Sequence, residues 1–146
     1  MAITNLGGSN KWVELATSSP TSGSTVTFSS LASYRDYRIE WFDLTNVGGQ
    51  PFAIRFNNDS GTNYAYWRSD QNDSAASAQV VGSTSQIQIT IFDADSVSKT
   101  IEGFGGSEGE VKAFWNNQTA INRIDIIALS GATYATGTIK IYGRNR

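Results

Sequence analysis

The stretch Gln86-Ile87-Gln88-Ile89-Thr90-Ile91 alternates apolar and polar residues without a break, the period of a strand with one buried face. Ile87, Ile89 and Ile91 must share that buried side, which leaves Gln86, Gln88 and Thr90 on an opposite side that carries no charge. The rest of the chain extends this pattern. No segment shows the i, i+3, i+4, i+7 spacing of an amphipathic helix, while short β-rich runs recur between clusters of Gly, Ser, Asn and Asp.

Strands are expected at 11–16, 25–28, 34–44, 52–56, 64–67, 86–91, 99–104, 121–129 and 138–143, with 111–115 pairing as an edge. In the longest of these, Tyr37, Ile39 and Trp41 fall on one face and Phe42 and Leu44 on the other, so one end is expected to be covered on both sides. Val47-Gly48-Gly49-Gln50-Pro51 is a turn. It leads into an expected hairpin, whose arms Phe52–Phe56 and Tyr64–Trp67 flank the turn formers Asn58 to Thr62. There Asp59 supplies an Asx turn and Gly61 a residue able to take positive φ. A second hairpin is expected around Ser130-Gly131-Ala132, and the polar run 69–85 reads as a loop, mobile or in contact with a partner.

Eight or nine short strands joined by turns describe an all-β, antiparallel β-sandwich of jelly-roll type. One domain is expected over residues 11–146, preceded by an arm, 1–10, with Gly7-Gly8 as a hinge. That arm carries only Ile3 and Leu6 as larger apolar residues besides Met1. It cannot offset an ordering entropy of about 1–2 kcal/mol per residue by itself, and is expected to order only against a neighbour.

Composition narrows the function. The 146 residues include no Cys and no His, which removes disulfides, thiolate metal sites, the usual zinc ligand sets and the Ser-His-Asp triad. A net charge of −2 argues against a phosphate-gripping domain, so no nucleic acid partner is expected. No run is apolar enough for a membrane helix, and Met1-Ala2-Ile3-Thr4 lacks a signal-peptide start, so the chain is expected to be made in a cytoplasm and to have no membrane partner.

Candidate sites compete with plainer roles. Trp12 and Trp41 sit in alternating strands and are expected to pack. Trp67 and Trp115 have polar neighbours, Arg68, Asn116 and Asn117, which suggests a loop edge where a Trp anchors a subunit or stacks on a sugar. Asn57, Asp59 and Asn63, or Asp93 with Asp95, offer oxygen ligands but lack the full calcium-loop pattern, so turn formation is favoured and no metal or cofactor is assigned. Glu102, Glu108 and Glu110 beside Asp93 could form a glycosidase pair, yet solvated charge is the commoner role and no enzyme is expected. Arg144 and Arg146 are candidates for contact with an acidic neighbour, set against a frayed tail.

Two groups of residues resemble a known family. Arg55-Phe56-Asn57-Asn58-Asp59-Ser60-Gly61 with Tyr64-Ala65-Tyr66, and Ile121-Asn122-Arg123-Ile124-Asp125-Ile126 with Gly137-Thr138-Ile139-Lys140-Ile141-Tyr142-Gly143, are similar to small β-sandwich virion proteins of tailed bacteriophages. Ile141 stands where Leu is more usual. The resemblance implies a capsid decoration, or cement, protein that stabilises the shell. It implies residence in the virion, the major capsid protein or other virion proteins as partners, and a homotrimer. Ile3, Leu6, Trp67, Trp115, Arg144 and Arg146 are then the candidate contact residues. A carbohydrate-binding or receptor-binding module of a tail fibre is the alternative, motivated by Tyr64, Tyr66, Trp67 and Trp115 near polar loops.

Overall fold

Short runs of β-branched and aromatic residues, broken by turn formers, give twelve strands in the computed structural model. It describes residues 11–68, 71–75, 77–80, 86–95, 98–105 and 110–145, and among these there is no helix. One sheet has eight strands, in the order β1 (Val13–Ser18), β12 (Thr133–Arg144), β3 (Asp36–Val47), β8 (Ile87–Phe92), β9 (Ser98–Phe104), β10 (Glu110–Asn116), β5 (Tyr64–Arg68) and β6 (Gln71–Ala75). The other has four, in the order β2 (Thr25–Phe28), β11 (Ile124–Ala128), β4 (Phe52–Phe56) and β7 (Ala78–Val80). Every pairing is antiparallel, and the inner faces of both sheets enclose one core, so the chain is an antiparallel β-sandwich.

The alternation of β8 turns Ile87, Ile89 and Ile91 into that core, as its pattern requires. Two aromatic groups span the gap between the sheets. Phe52 of β4 lies 5.5 Å from Trp41 and 5.7 Å from Tyr134, centroid to centroid. Phe56, four residues on, lies 5.2 Å from Trp115 and 6.2 Å from Tyr64, and those two stack at 6.0 Å. All six rings are buried, so each phenylalanine of β4 is seated between a tryptophan and a tyrosine of the large sheet.

Neither expected hairpin forms. β4 and β11 belong to the small sheet and β5 and β12 to the large one, so both turns carry the chain across the sandwich. A turn signal specifies reversal, not pairing, and the two corners are built alike. Asp59 N–H donates to Phe56 O at 2.8 Å around Asn57 and Asn58, both at positive φ. Ala132 N–H donates to Leu129 O at 3.0 Å around Ser130 and Gly131, again both at positive φ. The left-handed positions of the first corner are thus asparagines, and Gly61 is not among them. At each corner a buried tyrosine hydroxyl bonds to backbone eight residues upstream: Tyr64 accepts from Phe56 N–H at 2.8 Å, and Tyr134 donates to Ile126 O at 2.7 Å. Such bonds satisfy backbone groups where the chain leaves a ladder.

The longest strand also departs from its simple alternation. Asp43 takes φ +49° opposite Gly137 at φ +116°, and the β3–β12 register slips there. This bulge shifts the phase by one residue. Leu44 consequently turns inward beside Trp41, Phe42 stays outside, and the strand is not covered on both faces at that end.

Two further expectations change, and one lies outside the described residues. The polar run 69–85 contains β6 and β7, and its remaining residues lie outside the described ones. β10 is no edge, because it pairs with β9 on one side and β5 on the other. Residues 1–10, with Ile3 and Leu6, lie outside the described residues, as does Arg146.

The bulge gives a sharp test. A Cβ at Gly137 would stand 2.4 Å from Leu44 Cα and would sit on a positive φ, whereas one at Gly131, φ +76°, would meet nothing within 4 Å. Gly137→Ala should lower unfolding free energy by about 3 kcal/mol or more and Gly131→Ala by only about 1 kcal/mol, read from urea denaturation midpoints. Equal costs at the two positions would show that the bulge relaxes freely.

Candidate functional site

Four of the residues quoted for the resemblance, Asn57, Asp59, Asn122 and Arg123, meet at one end of the sandwich. Asn57 accepts from the backbone N–H groups of Asn122 (2.9 Å) and Arg123 (3.1 Å), and its amide donates to Ala120 O at 2.9 Å. Asp59 accepts from Gly61 N–H, the Asn63 and Asn117 amides and the Trp115 indole N–H, at 2.8–3.2 Å. Burial alone would raise the Asp59 pKa, but these four donors hold it below the ordinary carboxylate value. With its oxygens so engaged, Asp59 is a latch between the β4–β5 corner, β10 and the segment before β11.

Trp115 is the centre of this latch and not the surface anchor it was expected to be. It is fully buried, because β10 is a central strand whose odd positions face the core. Its polar neighbours mark the strand's end, where only the indole N–H reaches Asp59. Lys99 of β9, also fully buried, places its Nζ 4.7 Å from the Trp115 ring centroid. The ammonium donates to Asn117 O and, at 2.8 Å, to Thr119 O. Desolvation lowers its pKa, opposed by the charge of Asp95. Nothing in the sequence marked Lys99, which sits in an ordinary strand pattern.

At the same end of the large sheet, toward its β1 edge, Arg144 is fixed, not frayed. Its Nη2 lies 2.7 Å from the fully buried carboxylate of Asp36, and its guanidinium stacks 4.4 Å from the Trp12 ring. Arg38 approaches the same ring at 4.8 Å and Tyr142 at 4.9 Å. Trp12 therefore packs on the outside of the large sheet, unlike Trp41, which is in the core. Asp93 pairs with Arg35 at 3.2 Å, and Glu102 faces Lys112 across the β9–β10 ladder, so of the carboxylates considered for a glycosidase these two have separate basic neighbours. Glu108 is outside the described residues and Glu110 is described by its backbone alone. Among the described residues no cluster of acidic side chains could hold a metal ion.

The outer face of the large sheet is the surface with chemistry to offer. Phe42, Phe104 and Phe114 are exposed there, Phe104 by 65%. Trp67 is placed by its backbone opposite Lys112, with its side chain outside the described part. Tyr64 is buried, as is Trp115, and Tyr66 is likewise known by backbone only. Phe42 and Phe104 line an open cleft of about 310 Å³ together with Glu40, Gln86 and Gln88. It lies where the β3–β8 ladder ends, at Trp41 and Ile87, two residues before the Asp43 bulge.

No protein-family model matches the chain, and no curated protein matches it. Among solved structures, the exo-inulinase of Aspergillus awamori is similar over 92% of this chain, at 15% identity and a TM-score of 0.46. The chain spans only 29% of that enzyme, and a likeness so distant says nothing about activity.

The latch carries a pH signature. A depressed folded pKa at Asp59 means that its contribution is complete above the ordinary carboxylate value and is lost as pH falls through the folded value. Asp59→Asn should cost about 2–3 kcal/mol near neutrality, since an amide turns donors toward donors, and should flatten the loss of stability below about pH 4. Chemical denaturation at pH 7 and pH 3 measures both; a variant with the wild-type acid profile would remove Asp59 from this role.

Proposed function

We propose that the chain is a structural protein of a tailed-bacteriophage virion, a non-enzymatic capsid decoration subunit that clamps neighbouring shell subunits as a homotrimer. The observation that carries this reading is that the family-like residues form one mechanical unit. Asn57, Asp59, Tyr64 and Arg123 are bound to one another's segments, so the residues quoted for the resemblance act together in tying the two sheets. A subunit that must hold shape on a particle benefits from such a corner.

The mechanism is mass action. A protein that binds only the assembled shell stabilises it by RT ln(1 + [L]/Kd) per site, with no covalent step. Ile3 and Leu6 of residues 1–10 would supply the apolar part of that contact, entering a neighbour's groove or adding a strand to a sheet edge. The second reading, a glycan-binding module, is favoured by a different observation, the exposed aromatics of the outer face.

The purified protein should sediment as a trimer and pellet with expanded capsids of its source particle. Deleting residues 1–10 should weaken pelleting and leave the thermal midpoint nearly unchanged, because the core begins at β1. A monomer that never pellets with capsids would sink the decoration role.

A further inference from the structure

We propose that the cleft between Phe42 and Phe104 binds a neutral carbohydrate. This site is independent of the virion assignment and uses none of the aromatics on which a sugar-binding role was first considered.

The argument begins with register. Glu40, Gln88 and Phe104 form one row across β3, β8 and β9, all on the outer face. Phe42 and Gln86 occupy the next position on β3 and β8, just beyond the last paired residues, Trp41 and Ile87. Two exposed aromatic side chains thus flank a strip of amides, on strands separated by two ladder spacings, roughly 10 Å. β9 can close on β8 here because Gly105 has no side chain: a Cβ there would stand 2.3 Å from Gln86 O. The cleft's volume of about 310 Å³ is at the lower end for small-ligand sites.

The chemistry of the lining selects among ligands. Aromatic faces attract the C–H faces of a pyranose ring, while its rim of hydroxyls needs both donors and acceptors. Gln86 and Gln88 each offer both, and Glu40 is an acceptor when ionised. A purely apolar partner would bury these groups without returning their hydrogen bonds, at a cost for each. An acidic sugar would meet the Glu40 carboxylate on a chain of net charge −2. Arg38 pairs with that carboxylate, its Nε 3.0 Å from Glu40 Oε1, so it is not left over as a cation for an acidic sugar. A neutral glycan satisfies the aromatic walls, the amide floor and the carboxylate together.

The site stands on strands, not on loops, which favours a fixed spacing of the two rings. Phe114 provides an internal control. It is exposed on the same face, on β10, but is not part of the cleft.

The test uses the full chain and a panel of neutral hexasaccharides of glucose, mannose and N-acetylglucosamine, with an oligogalacturonate as the acidic comparison, by ligand-observed saturation-transfer NMR and calorimetry. At least one neutral oligosaccharide should bind, and Phe42→Ala and Phe104→Ala should each weaken it by about tenfold or more, with Phe114→Ala near wild type. Gln88→Ala should weaken binding without changing the thermal midpoint, which separates lost hydrogen bonding from lost fold. Absence of binding to every neutral probe, equal binding of the acidic one, or full binding by the Phe42→Ala/Phe104→Ala double variant would overturn the proposal. Capsid pelleting by that double variant reports separately on the virion role: a variant that pellets but no longer binds sugar supports both readings, and failure of wild type to bind sugar leaves the pelleting result to stand alone.

Discussion

Everything in this sandwich depends on moving the chain from one sheet to the other without stranding backbone polar groups. At a hairpin the ladder continues to the turn, but at a corner it stops, and the last N–H or C=O of the strand is already inside the core. The chain meets this twice with a tyrosine hydroxyl placed eight residues after the group it serves. Burial raises the pKa of both phenols, so they remain neutral hydrogen-bonding groups across the physiological range. Each phenol ring also belongs to an aromatic group that includes a phenylalanine of β4. Polar satisfaction and apolar packing are therefore supplied by the same side chain, and neither can be altered alone.

The second organising feature is the slip in β3. A strand of twelve residues with strict alternation would have to send Leu44 to solvent, or else bring Phe42 inside. Asp43 and Gly137 together take up the extra residue, so the core keeps Leu44 and the outer face keeps Phe42. The same slip lies just beyond the last β3–β8 pair, so the device that serves packing and the exposed Phe42 of the cleft are neighbours on one strand.

Much of this was legible from residues. Period-two patterns located β2, β4 and β8 within a residue or so, and the absence of helical spacing correctly set the class. The errors share a physical origin, because sequence patterns report local burial and reversal but not which partner a strand meets. The turn formers Asn58 to Thr62 and Ser130 to Ala132 mark reversals but not hairpins, since a turn is compatible with pairing or with a crossing, and the left-handed residues of the first corner, Asn57 and Asn58, begin one position earlier than the turn formers. Gln71–Ala75 contains no apolar alternation, and its strand exists because β5 offers it a ladder. Trp115 looked peripheral because of the asparagines after it, although its position in β10 places it in the core. Arg144 lies only two residues before the chain's last residue, and its buried partner Asp36 lies 108 positions away, a contact no local pattern encodes.

The latch also bears on how the phage-like motif should be interpreted. Asn57 is held to its left-handed turn by three hydrogen bonds to the segment at 120–123, and Asp59 by four donors, one of them the buried Trp115 indole. Residues so constrained are determined by the fold and would be required in any protein with this corner, whatever it binds. Recognition has to come from side chains whose replacement leaves the core intact. On the outer face those are Phe42, Phe104, Gln88 and Phe114, which contribute little to packing yet keep two aromatic side chains and an amide in fixed register on neighbouring strands. Exposing phenylalanine in this way forgoes burial worth about 1.5–3 kcal/mol for each ring. A fold that already seats eight aromatic rings in its core among the described residues has no structural need to leave others outside, so their place on this face is better explained by what they contact than by how the chain folds.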